Sequence, residues 1–80
     1  MRLAQSFANN LRRSRHTLGV TQEALADAVG LAPTYVGQLE RGQRNPTLAV
    51  IERLAAYFGV DPLELLKPQA TGCEQRIPEA

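Results

Sequence analysis

Cysteine and histidine are nearly missing from this sequence, which holds one of each, Cys73 and His16. A lone cysteine cannot form an internal disulfide, so nothing here points to an oxidising compartment. Cys73 lies in a polar stretch and is read as incidental, and His16 as a surface residue. With them goes any metal-ligand cluster. A phosphate-cradling glycine loop and a pair of neighbouring acids in a plausible pocket are also missing, so the chain is read as a non-enzyme with no cofactor. No apolar run approaches the ~20 residues that a membrane span needs. The N-terminal stretch has no apolar core of the signal-peptide kind. No membrane contact and a cytoplasmic location are the expectations.

Length sets the next limit. Eighty residues make one domain. A chain this short buries only about 60–65% of the surface its unfolded form exposes. That leaves no room for a deep substrate pocket or a separate ligand-binding domain, so no small-molecule effector is indicated. The composition is 44% hydrophobic and 21% charged, which reads as globular. Net charge is only +1, but it is unevenly spread. Up to Asn45, Arg2, Arg12, Arg13, Arg15, Arg41 and Arg44 face Glu23, Asp27 and Glu40, a balance of +3. From Pro46 onward, Arg53, Lys67 and Arg76 face Glu52, Asp61, Glu64, Glu74 and Glu79, a balance of −2. The first half suits a phosphate backbone and the second does not, although charge alone does not separate this from an ordinary solvated face.

Hydrophobic spacing and local chemistry predict five helices and no strand. Leu3, Phe7, Leu11 and Leu18 recur at helical intervals, giving an amphipathic helix over Leu3–Thr17 that Gly19 ends. Thr21 caps a second helix with Leu25, Ala26 and Val29 as its apolar stripe, stopped by Gly30. A helix of about eight residues does not persist alone and must be held by packing. A third helix spans Pro33–Arg41, with proline in the first turn, where no N–H is needed. Its Val36 and Leu39 face inward, Thr34, Tyr35, Gln38 and Arg41 outward, and Gly42 closes it. Thr47 caps a fourth helix over Leu48–Phe58, whose buried face is expected to be Leu48, Ile51, Leu54, Ala55 and Phe58. Asp61 and Pro62 open a short fifth helix through Leu66. Residues 1–67 are therefore expected to form the domain and residues 68–80, with two prolines and one isolated Ile77, a flexible tail.

The informative stretch is Thr21 to Gly42, TQEALADAVGLAPTYVGQLERG. Two short helices joined by a tight turn at Gly30 are the helix-turn-helix arrangement. Ala26 is small enough for a close helix crossing, and Gly30 permits the positive φ of the turn. Leu31, Val36 and Leu39 attach the unit to the core. Gln22, Glu23, Leu25, Ala26, Gly30, Tyr35, Val36, Leu39, Glu40, Arg41 and Gly42 together resemble the Cro and phage-repressor (XRE-like) helix-turn-helix family. So do Arg44 to Leu48 and the run from Phe7 to Arg15, so the resemblance spans Phe7 to Leu66.

That resemblance implies a compact all-α, five-helix, lambda-repressor-like domain that binds double-stranded DNA and regulates transcription, with repression as the default. It implies base contacts from Gln38, Thr34 and Tyr35, and phosphate contacts from Gln22, Arg41, Gln43, Arg44 and Asn45. Gln38 suits adenine, whose edge offers N7 as acceptor and N6 as donor. Pro33 departs from relatives that read bases with an amide at that position. The resemblance also implies a partly buried ion pair between Arg15 and Glu40, structural rather than DNA-contacting. One short reading helix covers few base pairs, so two copies on a palindrome are expected. Tyr57, Val60, Leu63, Leu65 and Leu66 are the candidate homodimer surface. The competing reading is a protein–protein adaptor, or an antitoxin-type partner, built on the same fold.

Overall fold

The computed structural model describes residues 2–68; the stretch read as a tail, with Cys73, falls almost entirely outside them. Four α-helices follow one another: α1 (Arg2–Leu18), α2 (Gln22–Val29), α3 (Pro33–Glu40) and α4 (Leu48–Phe58). A single 3-10 turn, Pro62–Leu65, closes the order.

Side-chain caps explain the starts. Thr21 accepts a hydrogen bond from the amide of Ala24 at 3.0 Å and Thr47 from that of Val50 at 3.1 Å, each satisfying a first-turn donor. The end of α3 is set by backbone geometry. The amide of Gln43 bonds the carbonyl of Gln38 at 2.9 Å and that of Gly42 the carbonyl of Leu39 at 3.1 Å, the paired closure of a Schellman motif. Gly42 supplies the left-handed φ of +73° that this closure requires, and a Cβ there would stand 3.0 Å from Gln5 Oε1. Arg41 is thus the cap that follows α3, so the helix ends one residue short of the predicted Pro33–Arg41.

The core forms where α1, the α2–α3 unit, α4 and the terminal turn converge. Phe7, Leu11, Leu25, Val36, Leu39, Leu54 and Leu65 are its largest fully buried side chains. Each contributes about 1.5–3 kcal/mol through burial. Ala8, Ala26 and Ala55 fill the close approaches between them.

Four expectations need correction. Leu3 and Leu18 are half exposed at the two ends of α1. At 17 residues α1 is about 25 Å long, and its apolar stripe outlasts α3, whose eight residues cover about half of that. Leu48, placed on the buried face of α4, is 78% exposed, since it occupies the first helical position and no neighbour covers it. The fifth helix is a four-residue 3-10 turn, with amide bonds from Glu64 to Asp61 at 2.8 Å and from Leu66 to Leu63 at 3.0 Å. Leu65, counted among the dimer residues, is 1% exposed and belongs to the core of its own domain.

One residue explains why that turn stops. Asn10 is buried on α1, and its Nδ2 donates to the carbonyls of Leu65 at 2.8 Å and Lys67 at 2.7 Å, with that of Glu64 at 3.4 Å. These carbonyls are claimed by a side chain instead of by the next helical turn, and Pro68 has no N–H to continue it. Asn10→Ala is expected to strip them of their donor and lower stability by about 2 kcal/mol, read as a fall in the urea midpoint. Asn9→Ala is the neighbouring control.

Candidate nucleic-acid interface

The α2–Gly30–Leu31–Ala32–α3 unit carries the candidate surface. Gly30 ends α2 in the left-handed conformation at φ 75°, and the amide of Leu31 returns to the carbonyl of Ala26 at 2.8 Å. The chain then re-enters a helix at Pro33. From α3, Val36, Gly37, Leu39 and Glu40 are buried. Thr34 and Arg41 are exposed, whereas Tyr35 and Gln38 are half-buried. Tyr35 also packs against the core.

Glu40 is the one buried acid among the described residues, with 2% of its side chain exposed. Arg15 grips it side-on with one edge of the guanidinium, Nε to Oε2 at 2.5 Å and Nη2 to Oε1 at 3.0 Å. Arg15 Nη1 also donates to the carbonyl of Val20 at 2.9 Å. Gln22 Nε2 donates to Glu40 Oε1 at 3.0 Å. Arg12 Nη1 donates to the Glu40 main-chain carbonyl at 2.8 Å. Burial pushes the carboxyl pKa up. The hydrogen bonds from Arg15 and Gln22, with the charges of Arg15 and Arg12, outweigh it and hold the pKa below the ordinary glutamate value. One carboxylate therefore ties α1, the start of α2 and the end of α3 together.

Gln22, assigned to a phosphate, spends one amide hydrogen inside the protein. It approaches α3 over Gly37, where an added Cβ would meet Gln22 Oε1 and Arg41 Nη1, each at 3.4 Å. Beyond α3 a second, exposed group forms. Arg44 lies over the ring of Tyr35, 5.3 Å from its centroid, and its Nη1 donates to Gln38 Oε1 at 3.1 Å. Arg41 Nε donates to Gln43 Oε1 at 3.2 Å. Asn45 is exposed beside them. The structure thus gathers Tyr35, Gln38 and Arg44 into one cluster and Arg41 and Gln43 into another. Arg15, Glu40 and Gln22 form the layer behind.

Four contributors escaped the sequence reading. Arg12 looked like solvated surface, yet it closes the C-terminus of α3. Arg53 does the same for α2, donating to the carbonyl of Val29 at 3.1 Å. Gly37 had a visible signal, a glycine inside a helical pattern. Asn10 had one too, as a polar residue three positions after Phe7 on an apolar stripe.

A family profile described as helix-turn-helix matches residues 11–65. The chain belongs to that family. Its kind is the Cro/repressor-like (XRE) one, a family of DNA-binding transcription regulators and not an enzyme family. An HTH-type transcriptional regulator of Sinorhizobium fredii, y4dJ, is 37% identical over 85% of this chain and 88% of its own. Control protein C.BamHI of Bacillus amyloliquefaciens is 41% identical over 88% of this chain and 89% of its own. The crystal structure of the restriction-modification controller protein C.AhdI of Aeromonas hydrophila superposes with a TM-score of 0.74 at 44% identity, covering 78% of this chain and 94% of that one. Among the described residues no helix is long and apolar enough to cross a membrane.

The buried carboxylate of this helix-turn-helix domain generates two expectations. Arg15→Ala leaves Glu40 uncompensated and is expected to cost about 3 kcal/mol or more, measured by thermal melting. The proper control is Arg13→Ala, since Arg12 supports Glu40 through its carbonyl. A loss no larger than that of the control removes the structural role. Glu40 has a lowered pKa in the folded state, so it adds stability above the unfolded value of about 4.3 and loses that contribution as pH falls through the folded pKa. Urea midpoints between pH 7 and 3 should therefore fall less steeply for Glu40→Gln than for the unaltered chain.

Proposed function

We propose that the chain is a cytoplasmic transcriptional repressor that binds a palindromic operator as a homodimer, with α3 in the major groove of each half-site. The observation that carries this reading is the fixed presentation of α3. Its inner face is clamped through Glu40, while Thr34, Tyr35 and Gln38 remain on its outer side. Thr34, Tyr35 and Gln38 would face base edges. Arg41 and Arg44, with Gln22, Gln43 and Asn45, would meet phosphates and set the register. The likeness to control protein C.BamHI and to the restriction-modification controller protein C.AhdI supports a controller of this kind. Repression needs no further surface, because a bound dimer blocks polymerase by occupancy.

Pairing is supported by apolar side chains near the terminal turn. Leu63 is 65% exposed and Val60 39%, two apolar side chains close together on one short segment. Tyr57 is half-buried and packs edge-on against Phe58, with ring centroids 5.4 Å apart. It and Leu66 would form the margin of the patch. Leu65 has no part in it.

Selection from a randomised duplex pool at moderate salt tests the reading. A palindrome with half-sites about one helical turn apart is the expected product. With Arg41 and Arg44 of both copies on phosphates, log K against log salt should have a slope of roughly −3 to −4. Leu63→Glu should sediment as a folded monomer and lose the palindrome. A folded chain that enriches no sequence and shows no salt dependence would favour the adaptor or antitoxin-type reading.

A further inference from the structure

The amide of Gln38 is not free to present either of its ends. Arginine can only donate, so the atom 3.1 Å from Arg44 Nη1 must be the carbonyl oxygen of Gln38, whichever way an isolated amide would turn. Arg44 is itself restrained over the Tyr35 ring, which gives the contact a third member. The half-buried position of Gln38 on α3 limits its alternatives further. One lone pair of Oε1 is thereby taken and the guanidinium beside it repels a further donor, so what the pair offers a ligand is mainly donors, the Nε2 hydrogens of Gln38 and the remaining N–H groups of Arg44.

We infer that Arg44 orients Gln38 for a guanine edge, making Arg44 a specificity-determining residue rather than a phosphate contact alone. The inference rests on the reading that α3 enters the major groove. A free glutamine reads adenine by donating to N7 and accepting from N6. Here the accepting half is already engaged by a cation, whose neighbourhood also disfavours the positive end of the adenine N6–H2 group. Guanine presents two acceptors, N7 and O6, and matches a pair whose offer is mainly donors. The guanidinium bond also polarises the amide and strengthens its outward N–H groups. Pro33, with no polar side chain, cannot supply a competing preference from the first turn of α3.

The test compares base profiles of three full-length chains, the unaltered one, Arg44→Ala and Gln38→Ala, selected on randomised duplexes, with thermal melting as the control for folding. Gln38→Ala identifies the position that Gln38 faces, as the one whose preference collapses. At that position the unaltered chain should prefer guanine, and Arg44→Ala should shift the preference toward adenine by at least about fivefold. A residue that touches only phosphate predicts a different pattern for Arg44→Ala, a uniform loss of affinity and a salt slope shallower by about 1 per copy with the same bases selected. That pattern, or adenine preferred by the unaltered chain, overturns the inference while leaving the operator-binding reading intact. Enrichment of no sequence by any of the three chains removes both.

Discussion

Glu40 is an acid at the end of a helix, withdrawn from water and met by donors from three directions. Taking an unpaired carboxylate into an interior costs several kcal/mol. Here Arg15 from α1 covers both carboxylate oxygens, Gln22 from the start of α2 reaches one of them, and Arg12 covers the carbonyl of the same residue. An apolar side chain of similar volume would fill the space at least as well in energy. What it would lack is direction. The fork of Arg15 donates to a carboxylate in one plane, and Gln22 can donate to it only if α2 starts where it does. The rotation of α3 about its own axis is thereby restricted, and with it the identity of the residues left outside.

This arrangement changes the meaning of the basic N-terminal half. Its excess of arginine suggests a surface for phosphate. In the structure Arg12 and Arg15 are engaged with Glu40, and Arg53 of the later half caps α2 in the same manner. Arg41 and Arg44 remain exposed around the end of α3, and they too have partners, Gln43 and Gln38. These two arginines lie at the Schellman closure and in the loop after it. There Gly42 turns the chain so that Arg44 comes back over Tyr35. Guanidinium groups serve both layers because one planar fork satisfies carbonyls, carboxylates and phosphates alike.

The terminal turn is a second case of a polar group deciding geometry. Asn10 is buried on α1 and draws the carbonyls of Leu65 and Lys67 onto it. Its own Oδ1 is left buried without a protein partner among the described residues. The clasp delivers Leu65 into the core and leaves Leu63 outside. Which apolar residues of Val60–Leu66 close the domain and which stay exposed follows from that contact.

Helix positions were legible because the signals that set them are local. Thr21, Thr47 and Asp61 each bond an amide two or three residues away, and Gly30 and Gly42 adopt a φ that costs other residues energy, so neighbours in sequence suffice to place them. The extended match from Phe7 to Leu66 conveyed the fold and the family in the same way, as a pattern of residue types at fixed intervals. Tertiary structure alone decided the rest. Leu48 and Leu65 are both leucines on predicted apolar faces, yet one is exposed and the other buried, because burial depends on whether a distant element arrives to cover the face. Arg12 and Gln38 likewise carry no mark of their partners, which lie 28 and 6 residues away. Amino-acid type and spacing determine what the backbone does over a few residues; which side chain meets which across the domain is determined only when the helices pack.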